Sequence, residues 1–265
     1  MKIGFVTDEI SAEVEEALRL GVSWGIYDYE LRAIGKQRVP NVPENVVKRL
    51  VELMQELSIN FTALSPGTFK GTLHDHELLQ RELQDTLPRT FDLAHKLDAD
   101  KVITFGVQRS AQDKLGNEAR VVEIFQQAAS AAQRAGLMLV VENEPGFWCD
   151  SGVNTARILA SVDSPALRAN WDPANAIGTE EIPYPDGYEA IKPWIANVHV
   201  KDTIKGALIE CVPVGKGGVD WRGQLQALVK DQVVEHLVIE THCLPLIENS
   251  LHNLKVVREM LETSG

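Results

Sequence analysis

The sequence predicts a (β/α)8 barrel in a single domain, residues 1–265, and three observations carry that prediction. Short apolar runs alternate with amphipathic helical patterns, and the alternation repeats eight times. No linker or shift in composition interrupts it. Alternation of this kind implies parallel strands joined by helical crossovers, and eight units close into a barrel. The third observation is that the last four runs each stop at an acid or an imidazole. These residues are Glu142, Asp172, His199 and Glu240. Asp172 follows Glu142 by 30 residues, His199 follows Asp172 by 27, and Glu240 follows His199 by 41. The excess in the last interval holds Gly206 to Asp220. An open doubly wound sheet is the alternative, but it normally carries a Gly-rich nucleotide turn after an early strand. Gly4-Phe5-Val6-Thr7 is not one.

Taken in order, Lys2 to Thr7 reads as a buried strand, and Ser11 is placed to cap a helix through Val14, Ala17, Leu18 and Gly21. Gly25 to Leu31 is the second strand, with Tyr27 and Tyr29 on one face. The helix that starts at Pro43 and Glu44 aligns Val47, Leu50, Val51, Met54 and Leu57. Phe61 to Leu64 is the third strand, ending in the turn residues Ser65-Pro66-Gly67. Phe69 to Glu77 is a polar stretch long enough to suggest a lid. A long helix follows from about Leu78 to Leu97, then the strand Lys101 to Gly106. Glu118 to Ala135 is a periodic helix that Gly136 terminates. Strands at 137–142, 167–172, 196–200 and 237–240 alternate with helices at 154–160, 187–194, 221–230 and 249–262. Asp220 is placed to cap the third of these helices.

Composition narrows the function classes. Thirty-eight acids against 26 bases give a formal net charge of -12, which argues against a nucleic-acid partner. Cys149, Cys211 and Cys243 are far apart and form no CxxC pair, as expected of free thiols in a reducing compartment. Met1 to Phe5 enters a strand at once with no signal-peptide pattern, and no apolar run approaches a membrane span. The expectation is a cytoplasmic protein without membrane partners, and a homo-oligomer is compatible with it.

If the barrel is right, all four polar strand ends share one level, the C-terminal face where barrel active sites are built. Taken singly, an acid there is usually a hydrated loop residue. Four at matching ends of consecutive strands point to a metal site. Three carboxylates and an imidazole suit a divalent cation: oxygen ligands favour Mn, Mg or Ca, and the nitrogen brings Zn and Co into range.

The segments Val141-Glu142-Asn143-Glu144-Pro145-Gly146, Asn170-Trp171-Asp172-Pro173-Ala174-Asn175, Asn197-Val198-His199-Val200-Lys201-Asp202, Gly215-Lys216-Gly217-Gly218-Val219-Asp220-Trp221 and Ile239-Glu240 resemble the xylose-isomerase-like TIM barrels. Ile3 to Ser11 resembles that group's opening strand. The superfamily includes sugar phosphate isomerases and epimerases, ketose 3-epimerases, hydroxypyruvate isomerase and inosose dehydratase, with endonuclease IV a more distant relative. The resemblance implies metal ligation by Glu142, Asp172, His199 and Glu240. It also implies that Glu142 and Glu240 exchange protons with a carbohydrate on opposite faces of the reacting carbon, through a metal-stabilised cis-enediolate. The expected activity is a sugar isomerase or epimerase acting on a small keto-sugar, keto-polyol or its phosphate, with Mn, Mg, Co or Zn as cofactor. A dehydratase of inosose or dehydroshikimate type is the alternative. A non-catalytic metal- and sugar-binding barrel and an abasic-site endonuclease rank lower: both glutamates are retained, and the nuclease needs more histidines than the seven here.

The resemblance also implies where substrate specificity differs. Ketose 3-epimerases carry a histidine three residues after the metal aspartate, an arginine six after the metal histidine and a glutamate six after the first metal glutamate. Here those positions are Asn175, Lys205 and Trp148. With Glu144 they form the expected substrate-binding set. Glu144 lies on the same side of an extended segment as Glu142; it can bind a hydroxyl, act behind the ligands or cap the Pro145-Gly146 turn. Lys205 either pins a substrate hydroxyl or is a solvated loop lysine. Trp171 lines the mouth or packs between barrel and helices. Asp202 is expected to orient His199 or anchor its loop. The Gly215–Gly218 turn lacks Walker spacing and shapes the chain before Trp221. His74, His76 and His242 read as solvated or packed.

Overall fold

The computed structural model describes residues 1–204 and 210–264, and within them eight parallel strands form a closed barrel. The strands are β1 (Lys2–Val6), β2 (Asp28–Leu31), β3 (Asn60–Leu64), β4 (Lys101–Phe105), β5 (Met138–Glu142), β6 (Leu167–Trp171), β7 (Ile195–Val200) and β8 (His236–Ile239). Each pairs with its neighbours in sequence, and β8 closes on β1 through Lys2↔His236 to Phe5↔Ile239. The helices outside are α1 (Val14–Ser23), α2 (Glu44–Leu57), α3 (Leu87–Lys96), α4 (Glu118–Ala135), α5 (Gly152–Val162), α6 (Tyr188–Ile191), α7 (Trp221–Asp231) and α8 (Leu246–Glu262). The fold is the predicted (β/α)8 barrel.

Most of the core is the annulus between strands and helices, where Phe5, Leu18, Phe61, Phe125, Trp171 and Trp221 are almost wholly buried. Burying side chains of this kind contributes roughly 1.5–3 kcal/mol each. Inside the barrel the apolar material is a small plug of Ala63, Ile103 and Val140. Above it the axis is polar. His236 Nε2 meets Asn197 Oδ1 at 3.0 Å, Asn197 Nδ2 donates to Asn170 Oδ1 at 3.1 Å and to Glu30 Oε1 at 2.6 Å, and Asn170 Nδ2 donates to Glu142 Oε2 at 3.4 Å.

Local differences from the sequence reading have identifiable causes. The second strand starts at Asp28 because Gly25 turns the chain at φ +78°; Tyr27 is exposed while Tyr29 is buried. Ser11 does not cap α1, whose preceding residue is Glu13. The expected long helix 78–97 begins at His76 and widens by one residue per turn over Glu82–Thr86. Pro88, just beyond, has no N–H to continue the regular ladder. The polar stretch 69–77 is not a loose lid. Phe69 and Leu73 are buried, Gln108 N donates to Gly71 O at 2.9 Å, and Asp75 caps the following helix. Asp220 caps α7 and Gly136 ends α4 at φ +70°, as expected. No helix among the described residues is long and apolar enough to cross a membrane.

Candidate metal centre

Glu142 is the last residue of β5, His199 lies near the end of β7, and Asp172 and Glu240 immediately follow β6 and β8. All four are buried, and one ligand atom from each lies within 4.8 Å of the others. Asp172 is the first polar group after β6 because Pro173 opens a short helix, Pro173–Ile177, that sequence patterning did not reveal. Asp172 Oδ1 accepts from Ala174 N (2.9 Å) and Asn175 N (3.1 Å), which turns Oδ2 toward the barrel axis. His199 Nε2 is held by Glu30 Oε2 at 2.7 Å, leaving Nδ1 facing Glu240 Oε2 at 3.5 Å and Glu142 Oε2 at 3.7 Å. Two buried atoms, Asp172 Oδ2 and His199 Nδ1, have no hydrogen-bond partner. Buried polar atoms without a hydrogen bond are costly unless something else satisfies them, and here only charged neighbours do: the Lys201 ammonium for Asp172 Oδ2, and the Glu142 and Glu240 carboxylates for Nδ1. An O,O,O,N set with two such atoms fits a divalent cation.

Glu30 and Lys201 join the cluster, and sequence reasoning did not place either of them there. Glu30 is buried inside β2 and bonds both His199 and Asn197. It does the orienting expected of Asp202. Asp202 instead anchors its loop, accepting from the backbone N–H groups of Thr203, Gly215, Gly217 and Val219 at 2.9–3.2 Å. A side chain at Gly217 would strike its Oδ1, at 2.1 Å from the added Cβ. Lys201 enters the cluster itself. Its Nζ lies 3.0 Å from Glu240 Oε2 and 2.7 Å from Asp172 Oδ2, the latter off the direction of a hydrogen bond. Burial works against its charge, but Asp172, Glu240 and Glu142 outweigh it and hold the ammonium well above the ordinary lysine range. The signal for Lys201 was available: two residues after His199 in an extended segment is the same face.

The two glutamates are unequal. Glu240 Oε1 accepts from Arg32 at 2.8 Å, and Arg32 also pairs with Asp8 and Glu9. Burial pushes Glu240 up, but Lys201, His242 and His199 hold it well below the usual carboxylate range. Glu142 meets amides, from Asn175 at 3.3 Å and Asn170 at 3.4 Å, and the His199 imidazole. Burial and the Glu240 charge raise it, but His199 and Lys201 outweigh them and bring it below its ordinary value.

These groups open into a cavity of about 560 Å³ whose wall includes Arg32, Arg38, Lys70, Phe105, Glu144 and Asn175. Glu144 pairs with Lys70 at 3.0 Å, and Asn175 is braced by Asn143 O at 2.8 Å. Trp148 is not in that wall: it is buried behind it, under the Arg109 guanidinium at 4.8 Å. Lys205 lies outside the described residues. Trp171 packs outside the barrel, donating from Nε1 to Gln224 at 2.9 Å. His74 pairs with Asp113 at 3.0 Å and His76 starts a helix, so they form no ligand pair. His242 lies at the cavity rim with Nδ1 2.9 Å from Glu9 Oε1.

A family model described as a xylose isomerase-like TIM barrel matches residues 18–262. The chain belongs to that family. Among solved structures of similar fold is a protein described as IOLI with a bound zinc atom. It is 17% identical, with coverage of 100% of this chain and 99% of that one, and the TM-score is 0.82. An L-ribulose 3-epimerase is 17% identical over 100% of this chain and 96% of its own, with a TM-score of 0.81. The probable 3-DHS dehydratase AsbF of Bacillus anthracis is also 17% identical, over 97% and 99%, with a TM-score of 0.81. Comparison of the sequence with curated proteins gives no match.

Proposed function

We propose that this xylose isomerase-like barrel is a divalent-metal-dependent isomerase or epimerase of a small keto-sugar, keto-polyol or its phosphate. The observation that carries the reading is the convergence of Glu142, Asp172, His199 and Glu240, all buried, with His199 Nδ1 making no hydrogen bond and Asp172 Oδ2 met only by the Lys201 ammonium. These four would hold the cation. When bound, it would supply Lewis-acid polarisation of a substrate carbonyl, which weakens the adjacent C–H bond. The zinc of the IOLI protein and the epimerase of similar fold support the reading.

The chain's own groups do the proton work. Glu142, with amide and imidazole neighbours, is the more basic carboxylate and removes the proton next to the carbonyl. Glu240, on the other side of the ligand set, returns one. Lys201 and Arg32 favour the carboxylate that Glu240 becomes, so the protonated Glu240 gives up its proton readily and takes the next one from solvent through the cavity, while Glu142 releases to solvent the proton it has gained. Glu30 fixes the His199 ring, and Asn175 and Glu144 meet substrate hydroxyls from the cavity wall.

Lys201 favours a second reading, a dehydratase, supported by the AsbF fold neighbour. There a base takes the α-proton, the β C–O bond breaks, and Lys201 gives its proton to the departing hydroxyl to form water. One experiment separates the two. Metal-loaded protein is incubated with a ketose panel in deuterated water. Deuterium gained at one carbon supports proton exchange, and a new conjugated carbonyl chromophore selects the dehydratase. Normal metal content with no exchange and no chromophore on any ketose would count against both. Glu240→Gln should abolish exchange while leaving the fold intact.

A further inference from the structure

The cavity holds a second feature beside the ligand set. Its wall carries four cationic Arg and Lys residues, and three are matched by acids. Arg32 is paired with Asp8, Glu9 and Glu240, Lys201 with Asp172 and Glu240, and Lys70 with Glu144. Arg38 is different. Among the described residues no carboxylate lies within ion-pairing distance of it, although it is half-buried. Its contacts hold it in place without neutralising it. Nε donates to Ser65 O at 2.9 Å and Nη2 to Ser65 Oγ at 3.0 Å, while Nη1 meets no acceptor among the described residues.

The chain is shaped around this guanidinium. Arg38 sits on a short antiparallel ribbon, Ala33–Ile34 with Gln37–Arg38, that follows β2. Gly67 lies against it at φ +78°; a Cβ there would come within 2.8 Å of Nε and 2.9 Å of Cζ. Phe105 gives the floor, with the Arg38 guanidinium 6.0 Å and the Lys70 ammonium 3.7 Å from its ring centre. A fixed, partly desolvated charge with open donors and no internal counter-ion is stable in water but poorly solvated here. The groups that complete it best are planar or tetrahedral oxyanions.

We infer that Arg38, seated by Ser65 and Gly67 beside Lys70 and Phe105, is a subsite for an anionic substituent of the substrate, a carboxylate or a phosphate. The inference rests on the reading of this cavity as a carbohydrate site. It narrows that reading to acidic or phosphorylated keto-sugars, with the reacting carbons at the ligand set and the charge at Arg38. Lys70 shares its charge between Glu144 and the incoming anion.

The test is calorimetric titration of manganese-loaded protein with D-fructose, D-fructose 6-phosphate, D-fructuronate and inorganic phosphate. Wild type, Arg38→Gln and Arg38→Lys are compared at equal metal content and verified helicity. The expected result is that one charged sugar binds the wild type at least about tenfold more tightly than D-fructose, in line with a charge-assisted hydrogen bond. That ratio collapses toward one in Arg38→Gln and is partly restored in Arg38→Lys. A clamp with only a structural role would not move the ratio. The phosphate and carboxylate arms identify the substituent, and inorganic phosphate should compete with the tighter sugar in wild type. Equal binding of charged and neutral sugars, a ratio that survives Arg38→Gln, or no binding of any anion overturns the subsite. Its fate is separable from that of the isomerase reading. Charged sugars held through Arg38 without deuterium exchange would leave the subsite and remove the isomerase, and exchange on neutral ketoses alone would do the reverse.

Discussion

Lys201→Met removes a cation from the centre of the ligand set while keeping most of its stem. In the metal-free protein it leaves Asp172 and Glu240 without the ammonium that now lies 2.7 and 3.0 Å away. Removing one partner of a buried pair costs about 3–5 kcal/mol. The lower end applies here, because Arg32 still holds Glu240 and two backbone N–H groups still hold Asp172. At roughly 2–4 °C per kcal/mol, a loss of about 3 kcal/mol lowers Tm by roughly 6–12 °C. With a divalent cation present the sign reverses. A unit charge about 4 Å away is worth about 4 kcal/mol at an effective dielectric of about 20. If only a third of that survives relaxation, metal affinity rises about tenfold. The assay is scanning calorimetry with chelator and with Mn²⁺, together with Mn²⁺ affinity by competition with a fluorescent chelator. An unchanged metal-free Tm, or weaker Mn²⁺ binding by the variant, would refute the view of Lys201 as the internal counter-ion of this site.

Glu30→Gln should act in the opposite direction on metal. A glutamine cannot accept from both His199 and Asn197, and loss of such an outer partner typically weakens binding by about 10–100-fold; chelator competition reads it, and an unchanged affinity would free Glu30 of that role. Asp202→Ala removes the acceptor of four backbone N–H groups, of which those of the buried Thr203 and Val219 are the costly ones at about 1–3 kcal/mol each if left unmet. Urea denaturation should show a loss of about 3 kcal/mol or more, with Asp202→Asn intermediate. Glu82 supplies a pH test: burial pushes its carboxyl up to about 7 from an ordinary 4.5, against the opposing Phe69 N–H at 3.0 Å. The protonated form is the one the fold favours, so its contribution is complete below 4.5 and is lost as pH rises through about 7. Glu82→Gln should therefore gain on the wild type at pH 8 and not at pH 4, by about 1–2 kcal/mol after allowance for solvent screening. Urea titrations at the two pH values give the difference, and an equal difference at both would exclude Glu82 as its source.

The barrel and the level of its polar strand ends were legible because both depend on period and spacing. Apolar runs and amphipathic stripes repeat once per strand-helix unit, and Glu142, Asp172, His199 and Glu240 each fall at the end of a run. The partners of these residues were not legible, because they come from distant parts of the chain. Glu30 meets His199 across 169 residues and Arg32 meets Glu240 across 208. An acid within β2, flanked by the buried Tyr29 and Leu31, is the one local hint that Glu30 faces inward. Trp148 misled for a different reason: its position in a motif fixes where its backbone runs, and not that its ring turns behind the cavity wall toward Arg109. Arg38 and Gly67 became meaningful only together, since the space one vacates is the space the other fills.

The polar axis of the barrel bears on how this chain can change. In the apolar annulus, hydrophobic swaps that conserve volume usually cost less than about 1.5 kcal/mol. On the axis, His236, Asn197, Asn170 and Glu142 form a relay in which the asparagines use both ends of their amides, and Glu30 joins Asn197 to His199. No single replacement there keeps both its donor and its acceptor satisfied. The usual expectation for a core is thereby inverted. The greasy shell can drift, while the innermost residues, including some that touch no ligand atom, are the ones least free to vary.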